Sequence, residues 1–341
     1  MNNYSAKGND FYMNITEFAK IAGVSKSAVS RYFNDGYLSD DKRKQIEDAI
    51  EKTGYSPSIQ AHNACKRITR LVGVIIPKVS SESCAREVEG ISRVLNEKGY
   101  QILLVNSANN HQKEVEYLDL FRNNRVDGVI FLATIFTPRH EAILKKMRVP
   151  VVIVGQEYKG FCCVCHDDFS AAYAITELMI KKGGKNPGFI GVTESDKAAG
   201  LARKKGFLKA LHDYHIEIQK NNMITADFTI DSGYEKAEIL LKNHKRPDFI
   251  FCATDNIGAG AVICAHNHKI NIPEELMISG IGDSHLCKVT SSSLTSVHFH
   301  YETAGEEAAH MLLLLLKREN IIPKTLTLDY EIMERESTQR Q

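Results

Sequence analysis

The sequence predicts an all-α head carrying a helix-turn-helix, followed by an α/β core of two doubly wound parallel-sheet lobes. Three observations carry that expectation. Two short amphipathic helical stretches meet at Gly23; from residue 71 apolar strand-like runs alternate with helical periods; and the alternation runs long enough in 341 residues to occur twice. Alternating strand and helix patterns build parallel sheets covered by helices.

Residues 16–22, Thr-Glu-Phe-Ala-Lys-Ile-Ala, set Phe18, Ala19 and Ala22 on one face, with Thr16 expected as N-cap. Gly23 breaks that helix and Ser25 is expected to cap the next, its hydroxyl accepting from a free N–H of the first turn. Ala28, Val29, Tyr32 and Phe33 fall at helical spacing for burial, which leaves Lys26, Ser27, Ser30 and Arg31 on a small, donor-rich face. Two short helices across a glycine turn form a helix-turn-helix, whose second helix fits the DNA major groove. Asn34-Asp35-Gly36 then makes a turn. Ser39 starts a third helix with Asp40 and Asp41 in its first turn, where the dipole favours acids, and Gly54 ends it.

In the core, strands are expected at 71–76, 101–105, 127–133, 149–154, 188–192, 248–252 and 276–280, interleaved with helices at 84–96, 112–123, 169–182, 200–213, 232–243 and 256–268 and one ending near Met147. Helix 302–317 is expected to return to the first lobe and one final strand, 325–332, to the second. The expected divisions are a disordered leader over 1–12, the head over 13–56, a hinge and linker over 57–70, and the two-lobed domain over 71–335. Lobe 1 would take 71–166 and 300–323, lobe 2 would take 167–299 and 324–335, and 336–341 would be a tail.

A net charge of +1 advertises no nucleic-acid partner globally, so DNA binding needs a local patch. His62, Lys66, Arg67 and Arg70, next to a head with Lys20, Lys26 and Arg31, form one. No apolar run approaches a membrane span and residues 1–12 are polar, so a cytoplasmic protein is expected. Eight cysteines lack the spacing of a secreted scaffold and mostly sit in apolar runs, as buried thiols do. Cys162-Cys163-Val164-Cys165-His166-Asp167-Asp168 is the one cluster suggestive of metal, but strand alternation would separate neighbouring ligands. No Walker loop, nucleophile elbow or His-Glu-x-x-His motif is present, and no catalytic constellation or cofactor is expected.

Ligands of doubly wound folds sit beyond the carboxyl ends of the strands. There the sequence places Arg203, Asp255, Asp283 and Phe228, with Tyr301 at a crossing between lobes. One arginine, two carboxylates and two aromatics suit a sugar, whose hydroxyls take charged groups and whose apolar face takes rings.

Residues 15–25, Ile-Thr-Glu-Phe-Ala-Lys-Ile-Ala-Gly-Val-Ser, with Ala28-Val29-Ser30-Arg31 and Phe33-Asn34, resemble the DNA-binding head of the LacI/GalR family of bacterial transcription regulators. The resemblance continues through Gly54-Tyr55-Ser56-Pro57 and more weakly to about Arg335. It implies a periplasmic-binding-protein-like core, a homodimer on double-stranded operator DNA, and a small-molecule effector, most often a sugar, that changes operator affinity. Repression of carbohydrate-utilisation genes is the family's usual outcome. By the same resemblance Thr16, Lys26, Ser27, Ser30, Arg31, Asn34, His62 and Ala64 face DNA, with Lys20, Lys66 and Arg67 at phosphates. Residues 57–64 would become a helix on the operator; Ala64 stands where the family wedges a leucine into the minor groove. Arg203, Phe228, Asp255 and Asp283 match effector-contacting positions. Gln156, after Gly155, stands near the acid usual there, and Ser83 and Cys84 replace a usual aromatic. A catabolite regulator governed by a partner protein, or a sugar-binding protein without DNA binding, are the alternatives.

Overall fold

The computed structural model describes residues 13–33, 36–55, 69–124, 126–317 and 322–340. The expected leader, Asn34, and the hinge with His62, Ala64, Lys66 and Arg67 lie outside the described residues. The chain divides into two compact units, Met1–Thr69 and Arg70–Gln341.

The first unit holds α1 (Ile15–Ile21), α2 (Lys26–Tyr32) and α3 (Asp40–Thr53). Thr16 does not cap α1. Asn14 does: its side chain accepts from the Thr16 and Glu17 amides at 2.9 and 3.1 Å while Glu17 reaches back to the Asn14 amide at 3.0 Å, a reciprocal box that outcompetes the hydroxyl two residues later. Ser25 caps α2 as expected, accepting from the Ala28 amide at 3.2 Å. Gly23 and Gly54 take left-handed φ of +69° and +63° at the two helix ends, where side chains are strained. Phe18, Ala19, Ala28, Val29, Ile46 and Ala49 form the small core, closed by Tyr55 stacked on Phe18 with centroids 4.0 Å apart.

The second unit is built on two six-stranded sheets. In the first lobe, β1 (Leu71–Ile76), β2 (Gln101–Asn106), β3 (Gly128–Leu132), β4 (Val151–Val154) and β5 (Cys162–His166) alternate with α4 (Glu82–Glu97), α5 (His111–Asn123) and α6 (Pro138–Leu144). The second lobe runs α7 (Asp168–Lys181), β6 (Pro187–Gly191), a π-helical turn (Lys197–Ala202) leading into α8 (Arg203–Asp213), β7 (Met223–Thr225), α9 (Ile230–Leu241), β8 (Phe249–Cys252), α10 (Asp255–Asn267), β9 (Met277–Ile281), the short α11 (Leu286–Val289) and β10 (Thr295–Phe299). The chain then returns through α12 (Tyr301–Leu316), β11 (Thr325–Leu328) and β12 (Tyr330–Met333).

Strand order is β11-β5-β4-β3-β1-β2, all parallel, in one sheet and β12-β10-β9-β8-β6-β7 in the other, with only β12 antiparallel. Side-chain alternation sorts the first lobe's faces: Val72, Val74 and Ile76 pack with α4 and α12, whereas Ile75 packs with Leu118 and Phe121 of α5. Gly90 and Gly305 let α4 and α12 touch. A methyl at Gly305 would stand 2.0 Å from the Glu87 carbonyl.

The expected single strand over 325–332 is corrected. Thr325–Leu328 pairs parallel with β5 in the first lobe, and Tyr330–Met333 pairs antiparallel with β10 in the second. Asp329 alone joins them, so the period-2 pattern runs unbroken while the chain changes sheets. The lobes are thus joined by three crossings, at 166–168, at 299–301 and at Asp329.

Candidate functional site

On the head, Ala28 and Val29 turn α2 inward, while Lys26, Ser27 and Arg31 are exposed and Ser30 is half-buried. Ser25 and Ser27 hydroxyls share a hydrogen bond of 2.9 Å, which orders the N-terminal turn. The Tyr32 hydroxyl donates to Glu47 of α3 at 3.3 Å. Thr16 is half-buried and Lys20 exposed on α1. The outward face of α2 therefore carries cations and hydroxyls over an apolar base, the form of a helix that reads base edges and phosphates.

In the core, the loops after β4, β6, β8 and β9 place polar side chains at the boundary between lobes. Arg203 opens α8 and is 7% exposed. Its Nε donates to Asp168 of α7 at 2.6 Å, a terminal nitrogen donates to the Ala253 carbonyl beyond β8, and the guanidinium lies 5.5 Å from the Phe299 ring centroid. Asp255, in the first turn of α10, accepts from the Ser296 hydroxyl at 2.5 Å and the Ser284 amide at 2.7 Å. Burial pushes its carboxyl up, against those hydrogen bonds. Gly282, at φ +134°, lets Asp255 approach: a methyl there would lie 2.9 Å from the carboxylate and 3.8 Å from the Tyr301 hydroxyl. Arg203, Asp255 and Tyr301 are thereby brought into one neighbourhood, and burial raises the Tyr301 phenol well above its ordinary range.

Asp283 stands apart. Its backbone is left-handed at φ +46°, and its carboxylate is bound by Arg335 at 2.5 Å and His298 at 3.0 Å. Burial alone would raise its pKa, but these two partners hold the carboxyl below the usual range. Phe228 is half-buried against the second-lobe core and its carbonyl accepts from Asn256 at 3.2 Å; neither contact joins it to the Arg203 group. Gln156, 5% exposed, donates to the Thr134 carbonyl and, at 3.4 Å, to Asp196 across the lobe boundary. Asp196 caps the π-helical turn through the Ala198 and Ala199 amides, both at 3.0 Å.

Two further groups tie the lobes together. Glu82 at the start of α4 accepts from the His285 amide and imidazole at 3.0 and 2.8 Å, and Arg86 donates to the Asp283 carbonyl at 3.1 Å. His166 ends β5, stacks on Phe299 at 4.7 Å and meets Tyr301 edge-on at 5.0 Å. Burial lowers its pKa to about 4, and its Nε2 is buried without a hydrogen-bond partner. Of these, His166 and Asp168 lay within the cysteine-rich stretch weighed for metal, and Phe299, Asp196, Glu82 and Arg86 carried no signal of their own. Among the described residues no three His, Cys, Asp or Glu side chains are arranged to hold a metal. Burial pushes the Cys165 thiol up to about 12, as in an inert thiol.

A helix-turn-helix unit followed by a two-lobed α/β unit defines a ligand-responsive DNA-binding regulator, and comparisons agree. Residues 14–58 match the model of bacterial regulatory proteins of the lacI family, and residues 176–338 that of the periplasmic binding protein-like domain. The chain is 31% identical over 318 residues to the sucrose operon repressor of Staphylococcus xylosus, covering 93% of this chain and 98% of that one. It is also 31% identical over 331 residues to catabolite control protein A of Priestia megaterium, covering 96% and 100%. The solved complex of the transcriptional regulator CelR with cellobiose superposes with a TM-score of 0.73 at 26% identity, over 95% of this chain and 99% of that one. The chain belongs to the LacI family of transcription regulators.

Proposed function

We propose that this protein is a cytoplasmic, homodimeric repressor of carbohydrate-utilisation genes, whose affinity for a roughly palindromic operator is set by a sugar or sugar derivative held between its lobes. The observation that carries this reading is the convergence of Arg203, Asp255, Tyr301 and Gln156 at the lobe boundary, beyond the carboxyl ends of the strands. Arg203, Asp255, Tyr301 and Gln156 form the effector site, which Phe228 joins by family resemblance. Asp283 supports that site through Arg335 and His298. On the head, Lys26, Ser27, Ser30, Arg31 and Thr16 contact the operator; Asn34, His62 and Ala64 complete the surface by family resemblance. The sucrose operon repressor and the CelR–cellobiose complex support a carbohydrate effector. Among the described residues no helix is long and apolar enough to cross a membrane, and the relatives being regulators supports a role without catalysis.

The homodimer reading is supported by β2, an edge strand with Leu103 40% and Leu104 42% exposed, since an exposed apolar edge invites a second copy. Effector and operator favour different lobe arrangements, so binding one weakens or strengthens the other by the same factor. A mobility shift on DNA upstream of the protein's own gene tests the reading. Arg31→Ala should weaken the shift at least tenfold and leave any sugar-induced rise in melting temperature intact. Loss of both would make Arg31 structural, and no shift by the wild-type protein would sink the repressor reading.

The 31% identity to catabolite control protein A favours a second reading, in which a partner protein sets operator affinity. A sugar that alone changes the mobility shift counts against it.

A further inference from the structure

The sequence reads 336–341 as a tail, yet Ser337 and Thr338 are fully buried. The Ser337 hydroxyl donates to the Ile278 carbonyl of β9 at 2.6 Å and accepts from the Thr295 amide of β10 at 2.8 Å. The Thr338 and Thr295 hydroxyls share a hydrogen bond of 2.7 Å, and Glu336 accepts from the Ser293 amide and hydroxyl at 2.8 and 3.0 Å. Residues 335–338 are thus strapped across two strands of the second lobe. Arg335, at the head of the strap, is fixed by its amide to the Thr295 hydroxyl at 2.8 Å and by one terminal nitrogen to the Leu294 carbonyl at 2.9 Å.

The other terminal nitrogen of Arg335 holds the loop after β9. It donates to the Asp283 carboxylate at 2.5 Å, with the two side chains only 13% and 11% exposed. Asp283 keeps a left-handed φ of +46°, a conformation that a residue with a side chain holds only when its surroundings impose it. The main-chain groups of the loop then reach separate partners. The Asp283 carbonyl accepts from Arg86 of the first lobe at 3.1 Å, and the Ser284 amide donates to Asp255 of the effector site at 2.7 Å. His285 gives its amide and its ring to Glu82 of the first lobe at 3.0 and 2.8 Å. Three consecutive residues therefore join the first lobe, the effector site and the strap. Rigid peptide planes link these groups, so the loop cannot turn for one partner without moving against the others.

We infer that Arg335 is a positioning residue for the joint between the lobes: by holding Asp283 in its left-handed conformation it aims the Ser284 and His285 amides at Asp255 and Glu82, and so sets how firmly the lobes are closed before any ligand arrives. The part that concerns Asp255 rests on the effector reading above; the part that concerns Glu82 and Arg86 does not. Arg335 acts through Asp283 and not on the ligand. A ligand held between the lobes favours the same closed arrangement. Loosening the joint therefore moves operator affinity in the direction opposite to the ligand's own effect.

The test uses the full-length protein, first without ligand. In Arg335→Met, hydrogen exchange of peptides spanning 282–288 should quicken about tenfold or more, while the β8 amides of Phe249–Cys252 keep the wild-type rate. Arg335→Lys keeps the charge without the two-pronged reach and should show the same change in smaller size. In mobility shifts without sugar, Arg335→Met and Glu82→Ala, on opposite sides of the joint, should each move operator affinity about threefold or more in one common direction, opposite to that in which a sugar moves the wild type. Wild-type exchange at 282–288 in the Arg335 variants would overturn the inference. So would quickened exchange in β8 as well, which would make Arg335 a support of the whole fold, or operator affinities that stay unchanged or move apart. If no sugar moves the wild type while the exchange and the two operator shifts come out as expected, the effector reading falls and the joint stands.

Discussion

Each lobe buries one carboxylate against one nitrogen base, and the two pairs are finished differently. In the first lobe, Glu114 of α5 and His140 of α6 are both fully buried and 3.1 Å apart. The Thr137 amide donates to His140 Nδ1 at 3.2 Å, so Nε2 carries the proton that Glu114 accepts; Ser107 takes the other carboxylate oxygen at 3.2 Å, and Phe131 stacks on the imidazole. Every polar atom of that cluster has a partner inside one lobe. In the second lobe, Arg203 and Asp168 are buried too, at 7% and 6% exposure, but they adjoin Phe299 and His166, whose Nε2 has none. Burial and pairing are common to both. What separates the two clusters is one unfinished hydrogen bond, at His166.

That contrast can be pressed hardest at Arg203. Arg203→Met leaves Asp168 buried without its counter-charge and should cost about 3–5 kcal/mol in urea unfolding, with loss of the sugar-induced melting shift. Adding Asp168→Leu should restore most of the stability and none of the ligand response; a single-variant loss under about 1 kcal/mol would show the pair to be slack. Glu114→Gln should cost about 1.5–3 kcal/mol, the range for a hydrogen bond to a charged group, yet leave the melting increment on adding sugar unchanged. If it abolished the increment, the distinction between the two clusters would fail. The smallest effect is one of pH. His166 titrates near 4 in the fold because it is buried and near 6.5 when unfolded, so between those values the unfolded chain binds the extra proton and stability falls as pH falls. From pH 7 to 4.5 this amounts to about 2 kcal/mol. Glu87, pushed up to about 8 by burial, acts in the opposite sense, and its contribution cancels when wild type and His166→Phe are compared. The wild type should lose about 2 kcal/mol more than the variant over that interval.

Much of the architecture was legible because it rests on local pattern. Apolar runs such as 71–76 and 248–252 mark buried strands by themselves, and Gly23 with Ser25 marks the turn of the head. The failures share one cause, dependence on distant partners. Thr295–Phe299 was not read as a strand because Thr295 and Ser296 look like loop; their hydroxyls are satisfied by Thr338, the Arg335 carbonyl and Asp255. The stretch 325–332 alternates without a break, and alternation reports the pleat but not the sheet it joins. Thr16 was read as a cap although Asn14 and Glu17 offered the stronger pair. At the site, residue types after strands pointed to Arg203, Asp255 and Asp283, but Arg335, which binds Asp283 from 52 positions away, is invisible in local sequence. His166 was noticed for metal chemistry; its meaning lies in Phe299 and Tyr301, which only the fold delivers.

The one-residue passage at Asp329 has a mechanical corollary. With a single residue between β11 and β12, the two sheets are pinned at that edge and can turn there but hardly slide apart. In the first sheet β2 lies five strand intervals from β11, roughly 24 Å at ordinary strand spacing. A turn of about 5° at the pin therefore swings β2 through roughly 2 Å, the product of angle and arm. Leu103 and Leu104, 40% and 42% exposed, sit at the end of this lever, so a small turn between the lobes is enlarged at that edge.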